Sequence, residues 1–414
     1  MKTVVILGAG ASTEFLAEYQ ESPLSTQRLT YILSKNLHLF WDYLQDFYDE
    51  KEIFWLRDLW FELIASLRKF FGDNYNFEHI IHLGDIISDI YVSKNSVVYV
   101  GKESLISNIY LVLVDFFGGK VDSYLGQILF SLPEILRYFI LDYICDYHYP
   151  SFKYSHYKDD YEIWKNFLIK FAYDGPLSIF SLNYDSLLYE IIANINKSGK
   201  CYIETGVDIE KLALENGSEV MDLDRIKNAK NVFIPLHGSV HFVPEIGSVR
   251  FCRNCKYAKK ERRGRAVSRK TKQDGTHDYN QIMITGLSKF DAVAKEPFST
   301  FYTRLVKDII ETDRIFIIGY GGADKHLNML LKSSYCIAKE VHYITKLEDV
   351  YLNNYSLLEH LSWKEFGFCV EFLPDDCFKK ESKNLEISDK ICIGERCFVY
   401  PRGTRYFLKN LGEF

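Results

Sequence analysis

The chain begins with a short β-branched run, Thr3-Val4-Val5-Ile6-Leu7, that passes without a spacer into Gly8-Ala9-Gly10-Ala11-Ser12. No other feature constrains the fold as strongly. The run reads as a strand, the glycines as the turn that ends it, and residues 14–19 as the helix that follows. The same start imitates a signal peptide with its lysine, apolar stretch and small residues. The stretch is short and enters a glycine turn, so the first strand is the expected reading.

Strand-like runs return at 177–182, 201–204, 232–236, 281–284, 314–318 and 340–344. Several alternate with helical patterns at 187–195, 299–311 and 323–332, the signature of a parallel sheet covered by helices. Between them the character changes. Residues 29–171 carry apolar and aromatic side chains at helical spacing, as in Ile53, Leu56, Leu59, Trp60, Leu63, Ile64 and Leu67, with almost no proline. The expected architecture is α/β: a Rossmann-like parallel sheet flanked by helices from 1–28 and 172–350, interrupted by a large helical insertion at 29–171. An extension at 351–414 is expected to hold a helix and a short β-hairpin about Gly394-Glu395-Arg396. A chain of 414 residues has the length for such elaboration.

The formal charge is −6, which argues against a surface that binds nucleic acid throughout. That mean hides a local excess. Residues 253–272 carry ten Lys and Arg against one acid, Glu261, a net of +9 that leaves −15 for the remainder. This stretch, within a basic insertion at 245–280, reads either as an exposed solvated loop or as a nucleic-acid contact. No apolar run reaches the roughly 18 residues of a spanning helix, and the best candidate, 109–117, contains Asp115. No membrane contact is expected. Nine cysteines, an odd number spread through the chain, resemble no secreted disulfide framework, and a reducing cytoplasm is the expected location.

Four motifs stand at predicted strand ends. Gly8, Gly10, Ala11 and Ser12 let a backbone approach a pyrophosphate at a helix N-terminus, although such turns also serve only to pack a helix on a strand. Leu182-Asn183-Tyr184-Asp185-Ser186 places polar groups where open α/β sheets bind ligands, with helix capping by Asp185 or Ser186 as the plainer reading. Leu236-His237-Gly238-Ser239 offers an imidazole suited to general-base work, while the nearby His241 reads as structural. Gly319-Tyr320-Gly321-Gly322-Ala323-Asp324 is either a second phosphate or ribose cradle or a turn with Asp324 as a plain cap.

Taken together and in this order, the four resemble a sirtuin-like NAD-binding domain. Their wording is most similar to the divergent bacterial branch that serves in antiphage defence as NAD hydrolases. The resemblance implies NAD as substrate, with Gly8, Gly10, Ala11 and Ser12 at the pyrophosphate, Asp185 at the nicotinamide end, and Gly319, Gly321 and Asp324 on the adenosine side. It implies Asn183 and His237 as the catalytic pair, Asn183 placing water or a ribose hydroxyl and His237 acting as base. It further implies a homo-oligomer and a partner such as a HerA-type ATPase.

Two departures separate the chain from protein deacylases of that family. Their Gly-Ile-Pro-Asp-Phe-Arg-like run is replaced by Thr13-Glu14-Phe15-Leu16-Ala17-Glu18, and their two Cys-x-x-Cys zinc pairs are represented only by Cys252-Arg253-Asn254-Cys255. Structural zinc is therefore not expected, with His277, Cys392 and Cys397 the remaining candidate ligands. NAD hydrolysis leads, and a deacylase or an inactive NAD- or ADP-ribose-binding scaffold are the alternatives.

Overall fold

A computed structural model describes residues 1–12, 26–72, 75–92, 123–151, 158–209, 212, 217–245, 248–271, 282–285, 292–322, 324–331, 339–346, 391–393 and 396–411. The chain forms two compact units, Met1–Ser22 with Pro150–Ser239 and Pro297–Phe414, and Pro23–Tyr149 with Val240–Glu296.

The first unit is built on β1 (Thr3–Leu7), β2 (Leu177–Ser181), β4 (Val232–Pro235), β7 (Arg314–Ile318), β8 (Glu340–Ile344), β9 (Ile391–Ile393) and β10 (Cys397–Tyr400), with β3 (Ser218–Val220) beside them in sequence only. Sheet order is β4-β2-β1-β7-β8-β10-β9. Every pairing is parallel except β9 with β10. β1 is central, in register with Thr3 opposite both Leu177 and Arg314, and every residue of it is buried. A parallel sheet covered on both faces demands such uninterrupted apolar runs, which is why β1, β7 and β8 have the bounds their sequences announce. From β1 the sheet grows outward through β2 to β4, then resumes on the other side of β1 through β7, β8 and β10. Growth changes direction between β1 and β7, the switch point at which doubly wound sheets open a ligand crevice.

The flanking helices of this unit are α6 (Lys158–Asp174), α7 (Leu187–Lys197), α8 (Leu223–Asn228), α10 (Phe298–Glu311), α11 (Lys325–Leu331) and α12 (Thr404–Lys409). α7 buries Leu187, Leu188, Ile191, Ile192 and Ile195 on one stripe, each such side chain contributing about 1.5–3 kcal/mol. Phe171 and Phe407 pack on Phe316 of β7, and His342 of β8 stacks on Phe316 and Phe398. Arg304 of α10 closes the C-terminus of α8 by donating to the carbonyls of Ile226, Lys227 and Ala229, and pairs with the buried Asp308 at 2.6 Å.

Some local expectations are altered. Residues 201–204 make a single bridge, Glu204 to Val232, rather than a strand. The C-terminal hairpin forms and goes further than its sequence indicated, because β10 joins β8 in parallel and covers what would be an exposed edge. The predicted helix at 14–19 lies outside the described residues, as do 109–117, His277, Gln281, Ala323 and 351–390.

The second unit holds α1 (Thr26–Ser34), α2 (His38–Leu44), α3 (Glu50–Phe71), α4 (Phe77–Val92), the greater part of α5 (Ser123–Ser151), the hairpin β5 (Phe242–Glu245) with β6 (Ser248–Cys252), and α9 (Cys255–Thr271). α3 starts on a capping box, with Asp49 accepting from the Glu52 N–H and Glu52 accepting from the Asp49 N–H. Ile53, Leu56, Leu59, Trp60, Leu63, Ile64 and Leu67 are all buried, as their spacing predicts. Phe40 packs on Trp41, Trp60 and Phe139, so this unit takes up many of the chain's aromatics.

The basic segment is helical rather than a loop, and it groups with residues 23–149. The reason is Arg262. Its side chain is fully buried, bonded to Asp142 at 2.6 and 3.0 Å and to the carbonyls of Val240 and Phe242 at 2.7 and 2.9 Å. Arg263 bonds Asp142 and Asp46, and Lys259 bonds Asp146. Three of the charges that read as a solvated run therefore have acid partners within this unit.

Candidate active site

The carboxyl ends of β4, β2, β1 and β7 are neighbours in the first unit, and each of the four motifs stands on one of them. The glycine motifs of β1 and β7 press directly on each other. The Gly8 N–H donates to Ile318 O and the Gly10 N–H to Gly319 O, both at 2.9 Å. A Cβ on Gly8 would meet Gly319 O at 2.6 Å, and one on Gly319, at φ +61°, would meet Ala11 N at 2.1 Å. Two backbones touch here only because neither carries a side chain. The N–H groups of Ala11 and Ser12 donate to Gly8 O and Ala9 O at 3.0 and 3.1 Å. The turn thus spends the N–H groups of Gly8, Gly10, Ala11 and Ser12 on carbonyls, and the Ser12 hydroxyl stands beside them as a side-chain donor. Gly321 is exposed and has open space about it, so packing gives no reason for that glycine.

Asn183 joins two of the motifs. Its Nδ2 donates to Gly8 O and to Ser12 Oγ, both at 2.9 Å. A carbonyl only accepts, so the amide nitrogen must face Gly8, which turns Oδ1 the other way as an acceptor. Ser12 Oγ, accepting from Asn183, keeps its own hydrogen to donate. The Asn183 N–H donates to Ser181 Oγ at 3.1 Å, a support that sequence reasoning did not show.

Asp185 is buried and splits its two oxygens. Oδ1 accepts from the Leu187 N–H at 2.9 Å and so starts α7, whereas Ser186 makes no side-chain cap. Oδ2 is buried with no hydrogen-bond partner. An unpaired buried carboxylate oxygen costs about 1–3 kcal/mol or more, a cost that a donor on a ligand would remove.

His237 is held by a turn that needs the positive φ of Gly238, +97°, and its ring lies 6.4 Å from that of Tyr184, centroid to centroid. Its Nε2 stands 2.9 Å from Asp324 Oδ2, with the two side chains 7% and 4% exposed. The contact has ion-pair length, but the ring N–H is out of line for a hydrogen bond. Asp324 Oδ1 meanwhile caps α11, accepting from the N–H groups of His326 and Leu327 at 3.0 and 3.2 Å. Both sequence readings that involve a cap, at Asp185 and at Asp324, therefore hold for one oxygen of each carboxylate and leave the other facing elsewhere.

His241, read as structural, belongs to the second unit. It stacks on Phe251, and its Nδ1 is 2.9 Å from Cys252 O. Burial pushes its pKa down to about 3. Cys252 and Cys255 are buried and form no disulfide, and among the described residues no group of three or more His, Cys, Asp or Glu side chains is arranged to hold a metal ion. Among those residues, too, no helix is long and apolar enough to cross a membrane.

With this geometry established, comparison with known proteins adds one finding. A family model described as SIR2-like domain matches residues 177–362, so this stretch is similar to a sirtuin-like domain. The match begins at the first residue of β2. It therefore includes Asn183, Asp185, His237 and Asp324 but not β1 or Gly8 to Ser12, which the sheet places beside them. No curated protein matches the chain.

Proposed function

We propose that the crevice at the carboxyl ends of β2, β1, β7 and β4 binds NAD and that the chain hydrolyses it to nicotinamide and ADP-ribose. The observation that carries this reading is the convergence of Asn183, Asp185 and His237 on neighbouring strand ends, with one Asp185 oxygen buried and unpartnered. Water adds to C1′ of the nicotinamide ribose as the C–N bond breaks, the electron pair of that bond neutralises the pyridinium nitrogen, and the proton lost by water leaves through the base.

This chain's residues divide the work by chemistry. Asp185 Oδ2 accepts from the carboxamide of the nicotinamide end and holds it. Asn183 Oδ1 accepts from water or a ribose hydroxyl, because its Nδ2 is occupied. His237 takes the proton. Ser12 donates its hydroxyl to the pyrophosphate, and Gly8, Gly10 and Ala11 let the β1 turn seat against Gly319 so that this hydroxyl is held at the strand end. Gly319 and Gly321 stand on the adenosine side. The similarity of Leu182 to Asp185, Leu236 to Ser239 and Gly319 to Asp324 to defence NAD hydrolases extends the proposal to NAD depletion against phage, in a cytoplasmic oligomer or beside an ATPase partner that holds the activity in check.

The test is to incubate the chain with NAD and follow nicotinamide and ADP-ribose by chromatography. Release from wild type, falling about 100-fold or more in Asn183→Ala and in His237→Ala, is expected. Full release from either variant, or none from wild type under any activating condition, overturns the reading. A requirement for acetyl-lysine with O-acetyl-ADP-ribose as product would select a deacylase instead, and tight NAD binding without turnover a scaffold.

A further inference from the structure

Along the chain β5, β6, α9, α10 and β7 lie between His237 and Asp324, yet the sheet brings the two side chains together at 2.9 Å. The carboxylate has little freedom to leave. Oδ1 is held by two N–H groups of α11, and the Asp324 N–H donates to Tyr320 Oη at 2.9 Å. Tyr320 Oη in turn donates to Asn328 Oδ1 at 2.8 Å, and Asn328 Nδ2 donates to Gly322 O at 2.6 Å. Tyr320 and Asn328 lie four residues before and after Asp324, a spacing that hints at this clamp in the sequence itself.

We propose that Asp324 is a positioning residue for His237, keeping the proton on Nε2 and leaving Nδ1 as the basic nitrogen. A carboxylate accepts only, so the ring nitrogen facing it is stabilised when protonated, and the tautomer follows from that. The imperfect alignment of the pair is removed by a small ring rotation as the ligand enters, as unliganded catalytic contacts commonly tighten. This deepens the hydrolase reading and rests on it for its catalytic consequence. It differs from a ribose contact by Asp324, which would act on binding.

Asp324→Asn keeps an oxygen to cap α11 and the side-chain shape but removes the acceptor-only carboxylate. Its kcat for nicotinamide release should fall about 10- to 100-fold, the effect of removing an orienting partner from a working histidine, with KM for NAD within about twofold of wild type. In ring-15N-labelled protein, the His237 signals, assigned by their loss in His237→Gln, should show the Nε2-protonated form in wild type and a changed form in Asp324→Asn. A raised KM with unchanged kcat, or identical ring signals in the two proteins, overturns the inference. Where Asp324→Asn does not fold, an Nδ1-protonated ring in wild type overturns it alone. A wild type that never cleaves NAD but shows the expected ring signals refutes the hydrolase reading and leaves the pairing standing.

Discussion

Arg262 and Asp142 form a buried ion pair in which the guanidinium Nη2 and Nε both reach the same carboxylate oxygen, at 2.6 and 3.0 Å. The remaining carboxylate oxygen is taken by Tyr43, at 3.0 Å, and by Arg263. Arg262→Met strands that carboxylate without its main cation and should cost about 3–5 kcal/mol in urea unfolding. Adding Asp142→Leu to it should recover part of the loss, since an apolar pair of similar volume avoids the uncompensated charge. A double variant no more stable than the single one would show that the two side chains act independently.

The position of Arg262 alters how a nucleic-acid contact, still a proposal, is examined. Its replacement would perturb the fold, so the exposed Lys256 and Lys260 are the informative positions. Lys256→Glu with Lys260→Glu should weaken binding to a fluorescent DNA duplex and make the affinity fall less steeply with salt. Unchanged anisotropy curves would leave α9 as a structural helix only.

Gly319 and Gly321 should respond oppositely to alanine. At Gly319 the positive φ and the 2.1 Å overlap with Ala11 N force the β1 and β7 turns apart, an expected loss of at least about 2 kcal/mol. At Gly321 a Cβ meets nothing within 4 Å, and stability should change by less than about 0.5 kcal/mol. Thermal melting of the two variants decides this. Lost NAD affinity in Gly321→Ala with an unchanged melting temperature would mark the ligand approach.

Acid should weaken the fold through His241. Its folded pKa lies near 3 against an ordinary 6.5, so between these values the unfolded chain binds the extra proton. Stability contributed by the neutral buried ring is complete above about pH 6.5 and is lost as pH falls toward 3, at up to about 1.4 kcal/mol per pH unit. His241→Phe gives up the contact with Cys252 O and should be less stable at pH 7, but its urea midpoint should fall less between pH 7 and pH 5. Parallel lines for the two proteins would contradict the assignment.

Strand recognition worked where chemistry was monotonous. Thr3–Leu7, Arg314–Ile318 and Glu340–Ile344 are strands with the bounds their apolar runs suggest, and α3 buries the residues its period selects. It failed where long-range context decided the outcome. Residues 201–204 found a partner at one residue only, and the β5–β6 hairpin, whose first strand contains Pro244, carried no clear strand signal. A buried arginine is written with the same letter as an exposed one, so α9 read as a solvated run. At the site, the strand ends were legible, since glycine, Asn183 and His237 each followed an apolar run. The division of each carboxylate between a cap and an open face was not, because it depends on which oxygen the next helix takes.

The placement of β1 bears on how the chain is made. Its two neighbours begin at residues 177 and 314, so its partners leave the ribosome long after it does. At about 5–20 residues per second, on the order of ten to thirty seconds pass before β2 is even synthesised. During that delay a strand with four apolar residues out of five waits with both edges bare, a substrate for chaperones. The β4-β2-β1 half can then assemble while α10 and β7 are still in the tunnel, and the β1–β7 seam closes only afterwards. The proposed ligand crevice lies on that seam, so under that reading a nascent chain has no site to fill until its late half has docked.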